Sequence, residues 1–390
     1  MNKNIQYHRV VPENSVQSGD GFSEFNNIQF VLTGPSRVLV KNSIRIEAEL
    51  EVFSTGTTRV VGTVLAGAGN AQYTDSIGFE NKIGAHSFFE SFTVENEQGQ
   101  IQSLQHYPRY CNMISSATLA EADMLNSNLI CELRGAHFYN SKIQCESVSS
   151  NNGVNADQKV NNEFSIKPLI CLNQVSEESG NYSFDKNGVV RINMNLARNG
   201  HALFGRSMQA DSSYKLKNVV IRYVTLPEIK AEPPMMMNSY AAIKSSVLSE
   251  QSHIQARVPA KSVNAVVLSF IAQNNFNSQT ANAYQLEKLP NIDNVEYLFQ
   301  DSFNNNITYR IDSETDMLER GISSLGYNGH TTSTSRNLRA NQGFIIGQQF
   351  DVPLDLSNQK FSVNINSGAS TLISANPRFV YLYFLNQIVM

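Results

Sequence analysis

The sequence contains no tryptophan and few charged side chains. Charged residues make up 16% of the chain, against ~25% in typical globular proteins, and Asn, Gln and Ser fill the polar positions instead. Such residues suit turns and wet, uncharged contact surfaces. The missing tryptophan counts against a sugar-binding platform, although the 15 tyrosines could supply one.

Positive charge is scarce as well. The formal net charge is −4, from 30 basic and 34 acidic side chains, and no basic stripe or arm interrupts the chain. A protein that grips nucleic acid needs such a basic footprint to neutralise phosphates. We therefore expect no direct sequence-specific binding of nucleic acid.

Cysteines are too few and too widely spaced for a disulfide scaffold or a zinc site. They are Cys111, Cys131, Cys145 and Cys171, without a CxxC pair. Structural zinc needs closely spaced ligand pairs, and none of the seven histidines stands four residues from another. We expect buried free thiols, no metal and no cofactor.

Long apolar runs are also absent. A typical run, residues 265–272, is far shorter than the ~18 residues that a membrane-spanning helix needs. The first six residues, Met1 to Gln6, have no apolar core and predict no secretory signal. We expect a chain that is soluble when made.

No catalytic motif stands out. Gly67-Ala68-Gly69 lacks the Lys-Ser/Thr of a phosphate-binding loop, and residues 321–326 have the wrong spacing for a nucleophile elbow. The glycosylation sequons at Asn181 and Asn306 are short patterns that arise by chance. We therefore predict a protein that is not an enzyme, with no catalytic, cofactor-binding or metal-binding residue.

Alternating strands fill the sequence, and their pattern occurs twice. Residues 189–196 alternate and precede the apolar run 219–225, and residues 360–365 alternate and precede the run 379–385. Internal duplication of this kind indicates two β-rich halves. Helices are predicted only at Ser116–Gly135 and at Ser313–Leu325, where apolar residues share one helical face.

A proline-rich joint separates the two halves. Three prolines between Pro227 and Pro234 forbid central-strand pairing there, and Met235-Met236-Met237 follows them. The methionines predict either a soft apolar plug or a partner-binding patch. We predict an N-terminal arm at 1–25, a first domain at 26–226, a linker at 227–237 and a second domain at 238–390.

The order of these segments resembles the double jelly-roll major capsid proteins of tailless icosahedral DNA viruses, the coat lineage of adenovirus-like viruses, membrane-containing phages and virophages. Four stretches carry the resemblance: residues 84–94 with the Gly99 turn and Tyr107–Tyr110, residues 188–198 with Phe204, residues 214–224, and residues 353–356 with 378–384. The resemblance covers roughly residues 25–390, and it lies in the order of these sequence patterns along the chain rather than in a fixed motif.

This resemblance implies an all-β fold of two tandem eight-stranded jelly-roll β-sandwiches, with short helices in the connecting loops. It implies a coat protein that forms pseudo-hexagonal homotrimers in the virion capsid after synthesis in the host cytoplasm. The implied partners are further trimers, minor capsid and vertex proteins, and neighbouring capsomers or an internal membrane at the N-terminal arm.

Two other functions stay open from the residues. A carbohydrate-binding or receptor-binding β-sandwich would bind glycans as an isolated chain. A β-sandwich glycoside hydrolase or lyase would need two carboxylates in a groove, contributed by strands far apart in sequence, and such a pair cannot be found from spacing.

Overall fold

A computed structural model describes residues 4–14, 20–54, 79–80, 82–118, 158–204, 213–228, 233–278, 281–300, 305–326, 344–368 and 372–390. The chain forms two compact units. The first comprises Met1–Ser103, Met124–Met235 and Asn277–Tyr284, and the second comprises Leu104–Asp123, Met236–Phe276 and Gln285–Met390.

The first unit contains two antiparallel sheets. One sheet joins β1 (Gln6–Val10), β10 (Ser213–Pro227), β4 (Arg45–Ser54) and β7 (Gln158–Ile166) in that order. The short strand β3 (Arg37–Leu39) also pairs with β10, and β8 (Tyr182–Ser183) pairs with β3. The other sheet has the order β2 (Asn27–Leu32), β9 (Val190–Leu196), β5 (Phe89–Asn96) and β6 (Gly99–Leu104).

The second unit also contains two antiparallel sheets. One has the order β11 (Met236–Val247), β18 (Arg378–Val389), β13 (Val263–Ala272) and β16 (Ile345–Leu354). The other has the order β12 (Gln251–Ala256), β17 (Phe361–Ser367), β14 (Ile292–Gln300) and β15 (Asn306–Ile311).

The two units share one strand order. If the eight main strands of each unit are lettered B to I along the chain, one sheet reads B-I-D-G and the other C-H-E-F in both units. This is the order of a jelly roll, with strands that alternate between two facing sheets. The predicted fold class, two tandem jelly rolls, is confirmed.

Period-two sequence patterns create the core between the sheets. In the H strands β9 and β17, every second residue is buried. Aromatic side chains bridge the facing sheets, because the rings of Phe89 and Phe164 lie 6.3 Å apart in the first unit and those of Phe361 and Phe384 lie 5.2 Å apart in the second. Each such ring removes a large apolar area from water.

Short helices recur at matching positions of the two strand sequences. Between D and E lie a 3-10 turn at Gly84–Phe88 and α4 (Gln273–Phe276); between F and G lie α1 (Tyr107–Thr118) and α5 (Glu314–Ser324); between H and I lie α3 (Asn199–Ala202) and α6 (Leu372–Ala375). Helix α2 (Phe184–Asn187) and a 3-10 turn at Cys171–Asn173 occur only between β7 and β9 of the first repeat, within the described residues.

Helix α1 packs within the second unit, on the sheet that contains β11 and β18. The ring of Tyr110 lies 4.1 Å from that of Tyr240, and the Arg109 guanidinium lies 4.5 Å from the centre of the Tyr381 ring. Arg109 also donates to the carbonyl of Gln285 at 2.9 Å. A buried arginine is tolerated here because its charge faces a π system and its N–H groups have an acceptor.

Helix α5 approaches β16 closely because both surfaces carry glycine. A Cβ atom at Gly347 would lie 2.8 Å from the Ser324 hydroxyl, and one at Gly321 would lie 2.9 Å from the Ile345 carbonyl oxygen. The sequence-predicted helix at Ser313–Leu325 is confirmed by α5. Ser313 holds the N-cap position without a side-chain cap hydrogen bond, and Asp316 instead pairs with Arg320 at 3.0 Å.

The alternating sequence of Val38–Phe53 predicts a single long strand, and this prediction is wrong at one point because the structure has two strands there, β3 and β4. Asn42 adopts a left-handed backbone with φ of 62° and divides β3 from β4. Its N–H donates to the carbonyl of Leu172 and its side chain donates to the carbonyl of Val175. Asparagine tolerates this conformation better than most residues, which permits the break.

Helix α1 starts nine residues before the predicted helix at Ser116–Gly135, and residues 119–135 of that prediction lie outside the described residues. Within the predicted arm at 1–25, Gln6–Val10 forms β1. The predicted linker at 227–237 holds the end of β10 and the start of β11. Met235 and Met237 are buried, which disfavours the reading of the methionines as a partner-binding patch.

Candidate assembly surfaces

The described residues contain no cluster suited to metal binding, since no group of three or more His, Cys, Asp or Glu side chains converges there. No helix in the described part of the chain is long and apolar enough to cross a membrane. Gly321–Leu325 lies in and beside α5, where its role is packing, and Gly67-Ala68-Gly69 lies outside the described residues.

Two of the four cysteines are described, and both are buried free thiols. Burial raises the pKa of the Cys171 thiol to about 12, partly offset by backbone hydrogen bonds. A thiol with this pKa stays protonated and unreactive near neutral pH. Cys111 is likewise buried in α1, whereas Cys131 and Cys145 lie outside the described residues.

A polar cavity of about 480 Å³ in the second unit involves Asn275, Glu287, Lys288, Asn291 and Arg378. The Glu287 carboxylate already accepts from the Ala272 N–H at 2.9 Å and from the Asn275 amide at 2.5 Å. Arg378 lies 3.8 Å from the same carboxylate. These contacts tie β13, α4 and β18 together, so the charges have a structural use.

In both units, a glutamate in the loop between strands B and C accepts a hydrogen bond from the short helix between strands H and I. In the first unit, Glu24 accepts the N–H of Asn199 at 2.8 Å, at the start of α3. In the second unit, Glu250 accepts the hydroxyl of Ser374 in α6 at 2.9 Å. Hydrogen bonds from its own N–H and from Ser374 lower the pKa of Glu250, so it accepts in its charged form near neutral pH.

Exposed apolar side chains lie beside both of these glutamates. Phe25 is 69% exposed next to Glu24, while Leu248 and Leu372 are 60% and 53% exposed near Glu250. Phe25 also has a left-handed backbone, with φ of 63°, which is costly for an aromatic residue. The same end of each jelly roll therefore exposes large apolar side chains, next to the loop that the glutamate hydrogen bond holds to the H–I helix.

A row of polar side chains crosses the outer face of the C-H-E-F sheet in the second unit. His253, Asn364, Glu296 and Arg310 stand opposite one another on its four strands. The His253 Nδ1 and Asn364 Oδ1 atoms lie 2.6 Å apart, Asn364 donates to Glu296 at 3.1 Å, and Arg310 donates to the same carboxylate at 3.1 Å.

The first unit repeats this arrangement on its own C-H-E-F sheet. Asn27 donates to Asn195 at 2.9 Å, and Asn195 donates to the Ser91 hydroxyl at 2.8 Å. The H strands β9 and β17 both carry Asn-x-Asn, at 193–195 and 364–366, with the intervening residues buried. Each jelly roll thus has an outer face of hydrogen-bonded polar side chains, with amides and a hydroxyl in the first unit and an imidazole, an amide, a carboxylate and a guanidinium in the second. Such faces suit wet contacts.

The outer face of β4 in the first unit carries charge instead. Arg222 pairs with Glu47 at 2.6 Å and Lys217 pairs with Glu51 at 3.2 Å. The Arg222–Glu47 pair is largely exposed, and such pairs contribute at most ~1 kcal/mol, whereas the Glu51 carboxylate is buried. Arg9 on β1 stands directly opposite Arg222, a like-charge pair that weakens the edge of this sheet.

Strand β1 is held at this edge by a histidine. The His8 ring stacks on the Tyr223 ring at 4.5 Å, and His8 Nε2 lies 2.9 Å from the Thr225 hydroxyl. Arg37 of β3 donates to the same hydroxyl at 2.7 Å. Burial, and then the Arg37 guanidinium, lower the pKa of His8. The docked strand therefore favours neutral His8.

Acid is expected to loosen β1. Because the folded-state pKa of His8 lies below its unfolded value of 6.5, the stabilisation is present above that value and lost as pH falls through it. Replacing His8 by Phe keeps the stacked ring without the titration. Melting temperatures between about pH 7.5 and 5 should fall less steeply in His8→Phe than in the wild type. Equal slopes for both proteins would contradict this.

Comparison with solved structures places the chain among proteins of the double jelly-roll fold. It matches a chain in the structure of the Sputnik virophage with a TM-score of 0.58 and 10% identity, over 99% of this chain and 86% of that one. It matches the major capsid protein of Faustovirus with a TM-score of 0.56 and 10% identity, over 99% and 90% of the two chains.

A third match is the mavirus major capsid protein, with a TM-score of 0.50 and 10% identity over 100% of this chain and 90% of that one. No family model and no curated protein matches the sequence. At 10% identity, the structural similarity establishes the fold. The resemblance to double jelly-roll capsid proteins noted in the sequence is therefore confirmed as a similarity of fold.

Proposed function

We propose that this protein is a major capsid protein, a structural coat subunit of an icosahedral virion. The observation that carries the proposal is the repeat of one jelly-roll order, B-I-D-G facing C-H-E-F, in two units of one chain. The major capsid proteins of Faustovirus and mavirus match this chain over at least 99% of its length, which supports the same role.

A homotrimer is the assembly that the repeat favours. Three chains with two similar units each supply six similar units, so a trimer can occupy a hexagonal position under three-fold symmetry. The hydrogen-bonded polar rows on both C-H-E-F sheets suit lateral contacts, because the asparagine amide in each row can both donate and accept hydrogen bonds. Low charge suits the reversible, hydrated contacts of a lattice.

The proposed role assigns partners and location. The chain would bind further copies of its trimer, together with minor capsid and vertex proteins, in the virion shell. Residues 1–25 are the proposed contact with neighbouring capsomers or an internal membrane. The net charge of −4 supports a coat that does not bind the genome directly, and the role requires no catalysis or cofactor.

The purified protein should be a trimer in solution. Three chains of 43.4 kDa give about 130 kDa, measurable by mass photometry or light scattering, and negative-stain images should show hexagonal outlines. A monomer of 43.4 kDa at micromolar concentration would argue against the coat role. Glycan-binding and polysaccharide hydrolysis assays would then test the carbohydrate-binding and enzyme alternatives.

A further inference from the structure

The charges around the polar cavity of about 480 Å³ in the second unit cancel in pairs. The Arg378 guanidinium lies 3.8 Å from the Glu287 carboxylate, and the Lys288 ammonium lies 2.6 Å from the Glu314 carboxylate. An ionic ligand of either sign would meet both attraction and repulsion here, and it would also lose its hydration. The cavity therefore favours a ligand without net charge.

One buried donor on the cavity wall has no acceptor. The Arg378 side chain is 11% exposed, and its Nε atom is buried without a hydrogen-bond partner among the described residues. Its Nη1 donates to the carbonyl of Asn376, but the 3.8 Å between Nε and the Glu287 oxygen is too long for a hydrogen bond. A buried donor without an acceptor costs free energy, so a ligand that supplies an acceptor there gains affinity.

Two side-chain amides on the same wall are also available. The backbone carbonyls of Gln285 and Asn291 accept from Arg109 and from the N–H of Gly368, which fixes both positions. Neither side-chain amide forms a hydrogen bond within the described part of the chain. A carboxamide both donates and accepts, so these two groups suit a ligand that does the same.

Apolar surface is scarce in this cavity. Pro290 is the one apolar residue among the described residues that line it, whereas lipids and aromatic cofactors need extensive hydrophobic walls. The volume lies within the range of roughly 300–1,000 Å³ that is typical of small-molecule sites. Asn291 is exposed at the rim, and the other lining residues are half-buried. A small, neutral ligand with several hydroxyl groups matches these properties, because each hydroxyl can both donate and accept.

We propose that this cavity binds a neutral sugar residue. One sugar oxygen accepts from Arg378 Nε, and further hydroxyls exchange hydrogen bonds with the side chains of Gln285 and Asn291. All these residues belong to the second unit, so the site goes beyond the coat role and needs neither a trimer nor a lattice. A free sugar and the end of a glycan present the same hydroxyls to it.

Saturation-transfer NMR on the full-length protein tests the proposal. The probes are galactose, glucose, mannose and N-acetylglucosamine at millimolar concentration, with glucuronic acid as the charged comparison. We expect saturation of at least one neutral sugar and a weaker signal from glucuronic acid. A glycan array with the same terminal sugars separates the sources. Binding to immobilised glycans indicates a glycan ligand, binding to free sugars alone indicates a soluble one, and either supports the site.

Arg378→Lys removes the unpaired donor without removing the charge, because a methylene group takes the place of Nε. Loss of a hydrogen bond from a charged group should weaken sugar binding about tenfold. Asn291→Ala, at the exposed rim, should weaken it about fivefold. Asn274→Ala is the matched control, because Asn274 is exposed in α4 and does not line the cavity. This control should bind like the wild type.

Three results would overturn the proposal: no saturation of any of the four neutral sugars, equal affinity in the wild type and in both cavity variants, or tighter binding of glucuronic acid than of every neutral sugar. If Arg378→Lys lowers the melting temperature, Asn291→Ala still tests the site, since its side chain lies at the surface. The mass of the protein in solution is measured separately, so a failure here leaves the coat role unaffected.

Discussion

Deletion of residues 2–11 is expected to destabilise the first unit and to make the protein self-associate. This deletion removes β1, which pairs with residues 221–225 of β10. Loss of about five paired positions at ~1 kcal/mol per hydrogen bond, offset by the chain entropy regained, should cost about 3 kcal/mol, or roughly 6–12 °C in melting temperature. Differential scanning calorimetry would measure the shift.

Self-association follows from the same change. Without β1, the edge of β10 would expose unpaired backbone groups and the side chains of Tyr223 and Thr225, which are buried in the intact unit. An exposed sheet edge is a template for pairing with another chain. Size-exclusion chromatography should show species larger than those of the full-length protein.

Tyr7→Ser is the control for this deletion. Tyr7 is 81% exposed on β1, so its replacement keeps the strand and removes little packing. Its melting temperature should stay close to that of the wild type. If the deletion variant melts at the wild-type temperature with an unchanged elution profile, β1 contributes nothing to the stability of the sheet and the expectation is wrong.

Gly347→Val is expected to separate α5 from β16. A Cβ at this position would lie 2.8 Å from the Ser324 hydroxyl and 2.9 Å from the Gly321 Cα, and valine adds two methyl groups there. The helix must move or the strand must bend, because one obstructing atom belongs to the backbone. Overpacking of this kind costs about 1–3 kcal/mol, and more where the backbone cannot yield.

Gly347→Ala and Gly368→Ala form a matched pair for this test. Alanine at Gly368 would meet the Asp293 carboxylate at 3.4 Å, an ordinary contact, without a left-handed backbone. Chemical denaturation should show a clear loss of unfolding free energy for Gly347→Ala and little change for Gly368→Ala. Equal values for the two variants would show that the contact between α5 and β16 is not tight in solution.

Strands with strict alternation and helices with a complete apolar face could be predicted from sequence. The sequence of residues 27–32 predicts a strand, and β2 has the same bounds, whereas α5 differs by one residue at each end from the helix predicted at Ser313–Leu325. These elements owe their structure to local patterns, because burial on one face sets the period. The duplication could be recognised for the same reason, since the H and I strands of both repeats have strong patterns.

Other elements depend on contacts that the sequence does not display. Strand β7, with the sequence QKVNNEFSI, is largely polar, so its sequence does not predict a strand. It lies at the edge of its sheet and is held there by pairing with β4. Strand β1 falls within the predicted arm, because residues 1–25 are polar and contain Pro12, Gly19 and Gly21, and its pairing with β10 is not visible in the sequence. The buried tyrosines around α1 bring together residues more than 100 positions apart.

The candidate assembly surfaces were even harder to predict from the sequence. The Asn-x-Asn pairs of β9 and β17 are visible as letters, but their alignment with Ser91 or with His253 and Glu296 depends on strand register. The same holds for Gln285 and Arg378, which line one cavity although they lie far apart in the sequence. Register and long-range closure follow from the whole fold.

The strand pairing at the ends of each unit has a genetic consequence. Gln6 pairs with Thr225, and Met236 pairs with Val389, so each jelly roll receives and releases the chain at neighbouring positions. A gene segment that encodes such a unit can be copied in tandem or inserted into another gene, because the two ends of the folded unit lie close together and no connecting chain has to cross the core. The two-unit chain is the product expected from one such duplication, and a three-unit descendant would need only another short joint.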